Sequence, residues 1–124
     1  MSDEDRLARW IEGYVRAWNT NEPRGIAALF TDDAAYYTAP FRPPWRGHEE
    51  IVAGWLDRKD SAGDAEFDWV PLVVTPDVAI VQGTTRYRDP AQTYSDLWVI
   101  QLDGEGRASE FTEWWIEHPE PASG

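Results

Sequence analysis

Two carboxylates, Asp96 and Glu113, carry the sharpest chemical signal in this chain. They lie in two runs rich in β-branched and aromatic residues, 94–102 and 107–116, joined by Asp103-Gly104-Glu105-Gly106. Such runs around a glycine-bearing turn predict a β-hairpin. If Leu102 stands opposite Arg107, then Asp96 faces Glu113, Trp98 faces Phe111 and Tyr94 faces Trp115, all on one face. A slip of one residue would turn both acids to solvent instead. Two carboxylates side by side among aromatics cannot both ionise cheaply, so one proton is expected to be shared between them. A pair of that kind, Glu113 and Asp96, can serve as general acid and base. Tyr14 is the third catalytic candidate: a buried phenol needs a hydrogen-bond partner, which a ligand can supply, although the same residue also reads as a core aromatic. Tyr36, Thr38 and Thr85 are candidate polar contacts. Phe41, Trp55, Trp69, Trp98, Phe111 and Trp115 are candidate walls of a flat-sided apolar pocket. His48 and His118 stand far apart without a ligand motif, so no metal site is expected.

The elements that must position these residues follow from periodicity. Leu7, Trp10, Ile11, Tyr14, Val15 and Trp18 recur at helical spacing and predict a first helix over 3–19. Pro23 near the start of 24–30 predicts a short second helix, and 34–38 reads as a strand. Three prolines within 39–47 predict an ordered loop, or flap, that carries Phe41. A third helix opens at Gly47 and buries Ile51, Val52, Trp55 and Leu56; 57–64 is a polar linker. Beyond it, 66–74, 78–87, 94–102 and 107–117 predict an antiparallel meander, with 118–124 a flexible tail. Carried across the turns, the register sets Phe67, Thr85, Asp96 and Glu113 in one row. Trp69, Gly83, Trp98 and Phe111 form the next, where Gly83 leaves room between two tryptophans. The opposite face, with Leu97, Val99, Thr112, Trp114 and Ile116, is also apolar and predicts a homodimer through the outer sheet face.

Composition narrows the classes. The chain of 124 residues is read as one domain, 1–124, and its net charge of −12 argues against nucleic acid or anionic membranes as partners. It has no cysteine, which removes disulfides, thiolate metal sites and a thiol nucleophile. The first residues lack the apolar core of a signal peptide and no run is long enough to span a bilayer, so a cytoplasmic protein is expected. Eight tryptophans in so short a chain imply that some line a pocket rather than a core.

The segments Leu29-Phe30-Thr31-Asp32-Asp33-Ala34, Arg46-Gly47-His48-Glu49-Glu50-Ile51 and the last strand from Gly106 to Trp115 resemble the nuclear transport factor 2-like, SnoaL-like superfamily. The resemblance runs over about residues 7–117. It implies an α+β fold in which three N-terminal helices pack on a curved antiparallel β-sheet, forming a cone with a central pocket. Among the group's ketosteroid isomerases, Tyr14 matches the oxyanion-hole tyrosine. The general-base aspartate, however, would fall at Thr38 or Ala39, and Trp98 stands where the second donor acid belongs. The chain is therefore not expected to be a true ketosteroid isomerase. The limonene epoxide hydrolases carry a catalytic aspartate at the position of Glu113, but their other catalytic residues would fall near Gly83 and Thr85. The resulting expectation is a cofactor-free acid/base enzyme (isomerase, cyclase, dehydratase or hydrolase) for a small, largely apolar, ring-containing molecule. The alternative is a small-molecule binding or accessory domain without chemistry. A protein-interaction module is less favoured by pocket-facing residues so rich in aromatics.

Overall fold

The computed structural model describes residues 2–59, 63–88 and 91–119. Helix α1 (Asp3–Thr20) starts where the Ser2 side chain accepts a hydrogen bond from the Asp5 N–H, with Asp3, Glu4 and Asp5 favoured by the dipole of its first turn. It stops at Asn21, which takes the left-handed conformation and donates its N–H to the Ala17 carbonyl. Its buried stripe is Leu7, Trp10, Ile11, Tyr14 and Ala17.

Helix α2 (Pro23–Ala27) is shorter than its sequence suggests. Phe30 leaves helical geometry because it begins strand β1 (Phe30–Tyr37) and pairs with Ala108 near the far end of the chain. A long-range ladder overrides a local helical preference there. After β1 and a two-residue strand β2 (Trp45–Arg46) comes α3 (Gly47–Asp57), burying Ile51 and Trp55. The strands β3 (Ala65–Val74), β4 (Val78–Arg88), β5 (Ala91–Leu102) and β6 (Ala108–Glu117) complete the chain.

The sheet order is β2-β1-β6-β5-β4-β3. The expected meander is present from β3 to β6, but β1 lies parallel to β6, so this curved sheet is mixed rather than antiparallel. Two strands also precede α3, so the helices do not form one N-terminal block. Pro71 is tolerated in β3 because that strand is an edge, and the ladder shifts between Pro71 and Val73. The polar linker and the tail fall partly, and the β4–β5 turn at 89–90 wholly, outside the described residues.

The register corrects the expected pairs without turning the face over. Phe67 pairs with Thr85 and Trp69 with Gly83, as the alternation predicts. Between β4 and β5 the match moves by two: Gly83 opposes Asp96 and Thr85 opposes Tyr94, because Arg88 already pairs with Ala91 across a two-residue connection. Between β5 and β6, Asp96 opposes Trp115 and Trp98 opposes Glu113, so the two acids do not face one another. One residue of that slip comes from the turn, where the Asp103 carboxylate accepts from the Glu105 and Arg107 N–H groups and Asp103 donates to the Arg107 carbonyl. The second comes from an irregularity between Gln101 and Leu102. An even total keeps every side chain on its expected face.

Candidate functional site

Helices α1 and α3 and the inner face of the sheet line an open-mouthed cavity of about 290 Å³. Its aromatic wall is one connected system. Tyr14 packs 4.7 Å from Trp98 and 4.9 Å from Trp55, and Tyr36 stacks on Trp45 at 4.9 Å. Phe67 stacks on Trp98 at 4.4 Å with an 11° interplanar angle. Gly83 makes this possible: a Cβ there would come within 2.4 Å of the Phe67 ring. The glycine thus admits Phe67, rather than opening a gap between two tryptophans.

Polar groups sit on this wall in two sets. On the β4–β5 side, Asp96 is 5% exposed and accepts a hydrogen bond from the hydroxyl of Thr85, itself buried. Thr85 reaches the carboxylate diagonally across the ladder. Burial pushes the Asp96 pKa up to about 6, while the Thr85 hydrogen bond and the charge of His118 pull it back. Loss of solvent, rather than a facing carboxylate, keeps this acid near neutrality. His118 is held by Ser95, its ring Nε2 2.7 Å from the Ser95 hydroxyl.

On the α1–β1 side, the Tyr14 and Tyr36 hydroxyls are hydrogen-bonded at 2.7 Å. Burial raises both pKa values far above the ordinary tyrosine range, and the nearby charge of Glu113 raises them further. Both phenols are therefore neutral donors at neutral pH. Two hydroxyls hold two hydrogens and their mutual bond uses one, so the pair retains a donor to offer onward. Trp98 adds an indole N–H that is buried without an acceptor among the described residues.

Of the residues singled out in the sequence, Tyr14, Tyr36, Thr38, Trp55, Thr85, Asp96, Trp98, Glu113 and Trp115 line the cavity together. Phe111 is fully buried behind the wall, against Tyr14 and Tyr36, and closes the core instead. Trp69 packs half-buried against that core but does not reach the cavity. Phe41 is 83% exposed beside Arg42, because the proline-bearing loop holds it outward. The lining also includes Trp18, Trp45, Tyr87, Tyr94, Arg58 and Lys59. Trp18 and Tyr87 were legible, since they share a helical stripe or a strand parity with residues already chosen. Trp45 sits in a two-residue strand hidden among prolines, and Arg58 and Lys59 in a segment that reads as solvated linker. No local pattern points to those three.

The histidine His48 ties α3 to β1: its Nε2 lies 2.8 Å from the Phe30 carbonyl. No helix among the described residues is long and apolar enough to cross a membrane.

Comparison with solved structures shows the same fold at low identity. A protein from Kribbella flavida superposes with a TM-score of 0.69 at 18% identity, covering 97% of this chain and 84% of that one. The ketosteroid isomerase-like protein of Erwinia carotovora atroseptica gives 0.63 at 18% identity, over 90% and 94%. An NTF2-like protein of unknown function from Mesorhizobium loti gives 0.67 at 14% identity, over 94% and 95%. No curated protein matches the chain at a significant level. Residues 11–117 match the SnoaL-like domain. With the match spanning nearly the whole chain and the fold in agreement, the protein belongs to the SnoaL-like domain family.

Proposed function

We propose that this protein is a cofactor-free acid/base enzyme that moves a proton on a small, ring-containing substrate held among Tyr14, Trp55 and Trp98. The observation that carries this reading is Asp96, a buried carboxyl with a pKa of about 6 in the same aromatic cavity as a pair of neutral phenols. A carboxyl poised there gives and takes protons near neutral pH, where an ordinary aspartate is too weak a base. The phenol pair supplies a preorganised donor for oxygen that becomes negative during the transfer. Glu113, on the same wall, biases the field against tyrosinate and is the second candidate acid/base. In this scheme Thr85 is a positioning residue, orienting the Asp96 carboxylate.

The test is proton exchange at carbon. A panel of small cyclic ketones and enones incubated with the protein in D2O is followed by NMR for deuterium uptake beside the carbonyl. Exchange is expected in wild type, with a loss of roughly a hundredfold or more in Asp96→Asn and an unchanged circular dichroism spectrum. Tight binding of panel members with no exchange would assign the pocket to ligand binding alone. A steroid β,γ-enone is expected to remain unconverted, because Thr38 and Ala39 offer no base where that reaction needs one; conversion would overturn the placement of the base at Asp96.

A further inference from the structure

The cavity contains two cations that the acid/base reading does not use. Arg58 follows the last residue of α3 and Lys59, the chain's single lysine, comes next. Both line the cavity and both are exposed. Five arginines of this acidic chain are paired with its own carboxylates. Arg6 pairs with Asp3, Arg16 with Glu12, Arg86 with Asp68, Arg88 with Glu66, and Arg107 with Asp103 and Glu105. Arg58 and Lys59 hold no ion pair among the described residues, as is also true of Arg9, Arg24, Arg42 and Arg46, but of these six Arg58 and Lys59 are the two that line the cavity. A cation at a helix C-terminus gains from the dipole wherever it points, which accounts for charge at this position but not for its facing the cavity.

We infer that the ligand of this pocket is a planar carboxylate, its anionic group held at the α3 end by Arg58 and Lys59 and its ring laid against the wall formed by Trp55, Tyr14 and Trp98. This inference rests on the pocket reading above and names the substrate class. Arg58 acts on the Tyr36 phenol against the larger opposite effect of Glu113, whereas the cation acting on Asp96 is His118. With its carboxylate anchored by Arg58 and Lys59, the ligand's ring lies along the aromatic wall that also carries Asp96. At about 290 Å³ the cavity lies near the lower bound of small-molecule pockets, roughly 300 Å³, which suits one or two fused rings. Arginine's planar fork matches a carboxylate in two hydrogen bonds, and a charge-assisted contact of this kind discriminates strongly against a neutral isostere.

The test compares 2-naphthoate with its neutral isostere 2-naphthamide by quenching of the tryptophans in the cavity wall. Wild type is expected to bind the acid roughly tenfold more tightly than the amide, the effect of one charge-assisted hydrogen bond. The Arg58→Gln/Lys59→Gln variant should bind both alike, with amide affinity unchanged, and Arg58→Lys/Lys59→Arg should keep most of the preference. Equal binding of acid and amide by wild type overturns the inference while leaving the pocket reading intact. So does a preference that survives in the glutamine variant, since the selectivity then arises elsewhere. Failure of both compounds to bind overturns the ring-binding pocket and the inference with it.

Discussion

The carboxyl of Asp96 binds its proton more tightly in the folded chain than in the unfolded one, with a pKa raised from 3.8 to about 6. Its ionisation therefore opposes folding: no penalty exists below the lower value, stability falls as pH rises between the two, and the loss is complete above the upper value. Asp96→Asn removes the charge and keeps an oxygen to accept from Thr85. It is expected to gain about 1–2 kcal/mol at pH 8 and nothing at pH 3, a discount from the roughly 3 kcal/mol that two pKa units imply. Urea denaturation at the two pH values checks this, and equal effects at both would remove burial as the cause. The phenol pair offers a second measurement. Tyr14→Phe leaves the Tyr36 hydroxyl buried without its partner and should cost about 1–3 kcal/mol. Adding Tyr36→Phe should cost less than the sum of the single changes, because the second change removes the orphaned group. Additive losses would mean that the two hydroxyls do not depend on one another.

At the scale of elements, the site is a product of where strands end. The β4–β5 connection displaces the expected match by two residues, and the β5–β6 turn together with the irregularity between Gln101 and Leu102 does the same, so Tyr94, Asp96 and Trp98 keep the cavity face while their cross-strand partners change. Glycine at position 83 fixes how closely the β3–β4 ribbon closes on that face. Gly83→Ala would drive its Cβ into the Phe67 ring and to 3.3 Å from the Asp68 carbonyl oxygen. Backbone cannot yield as a side chain can, so the variant is expected to lose about 1–3 kcal/mol and to unstack Phe67 from Trp98. Thermal denaturation with near-ultraviolet circular dichroism would report both; an unchanged aromatic signal would contradict this account of the glycine.

For the molecule as a whole, the outer face of the sheet is the unfinished surface. Leu97 pairs with Trp114 and Val99 with Thr112, forming an apolar stripe on the side away from the cavity. Trp114 is 51% and Ile116 71% exposed. Apolar area of this kind stabilises when covered, and a second copy meeting it about a two-fold axis is the simplest cover. Light scattering at tens of micromolar should give twice the mass of the chain, and Trp114→Asp should halve it. A monomeric wild type would leave the stripe without this role.

What the sequence determined by itself was the set of local periods: the α1 stripe, the alternation along β3 to β6, and the choice of Asp96, Tyr14 and most of the aromatic wall as inward-facing. These follow from side-chain direction along a helix or strand, which needs no knowledge of distant partners. Cross-strand neighbours were another matter. Asp96 came to face Trp115 instead of Glu113 because a turn closed by the Asp103 carboxylate and one ladder irregularity each added a residue, and neither device changes the alternation from which register is read. The parallel β1–β6 pairing and the shortening of α2 likewise depend on Phe30 meeting Ala108, a contact made only when the chain closes on itself. Arg58 and Lys59 were legible as charge but not as lining, since the end of α3 becomes part of a cavity only when the sheet curves beneath it.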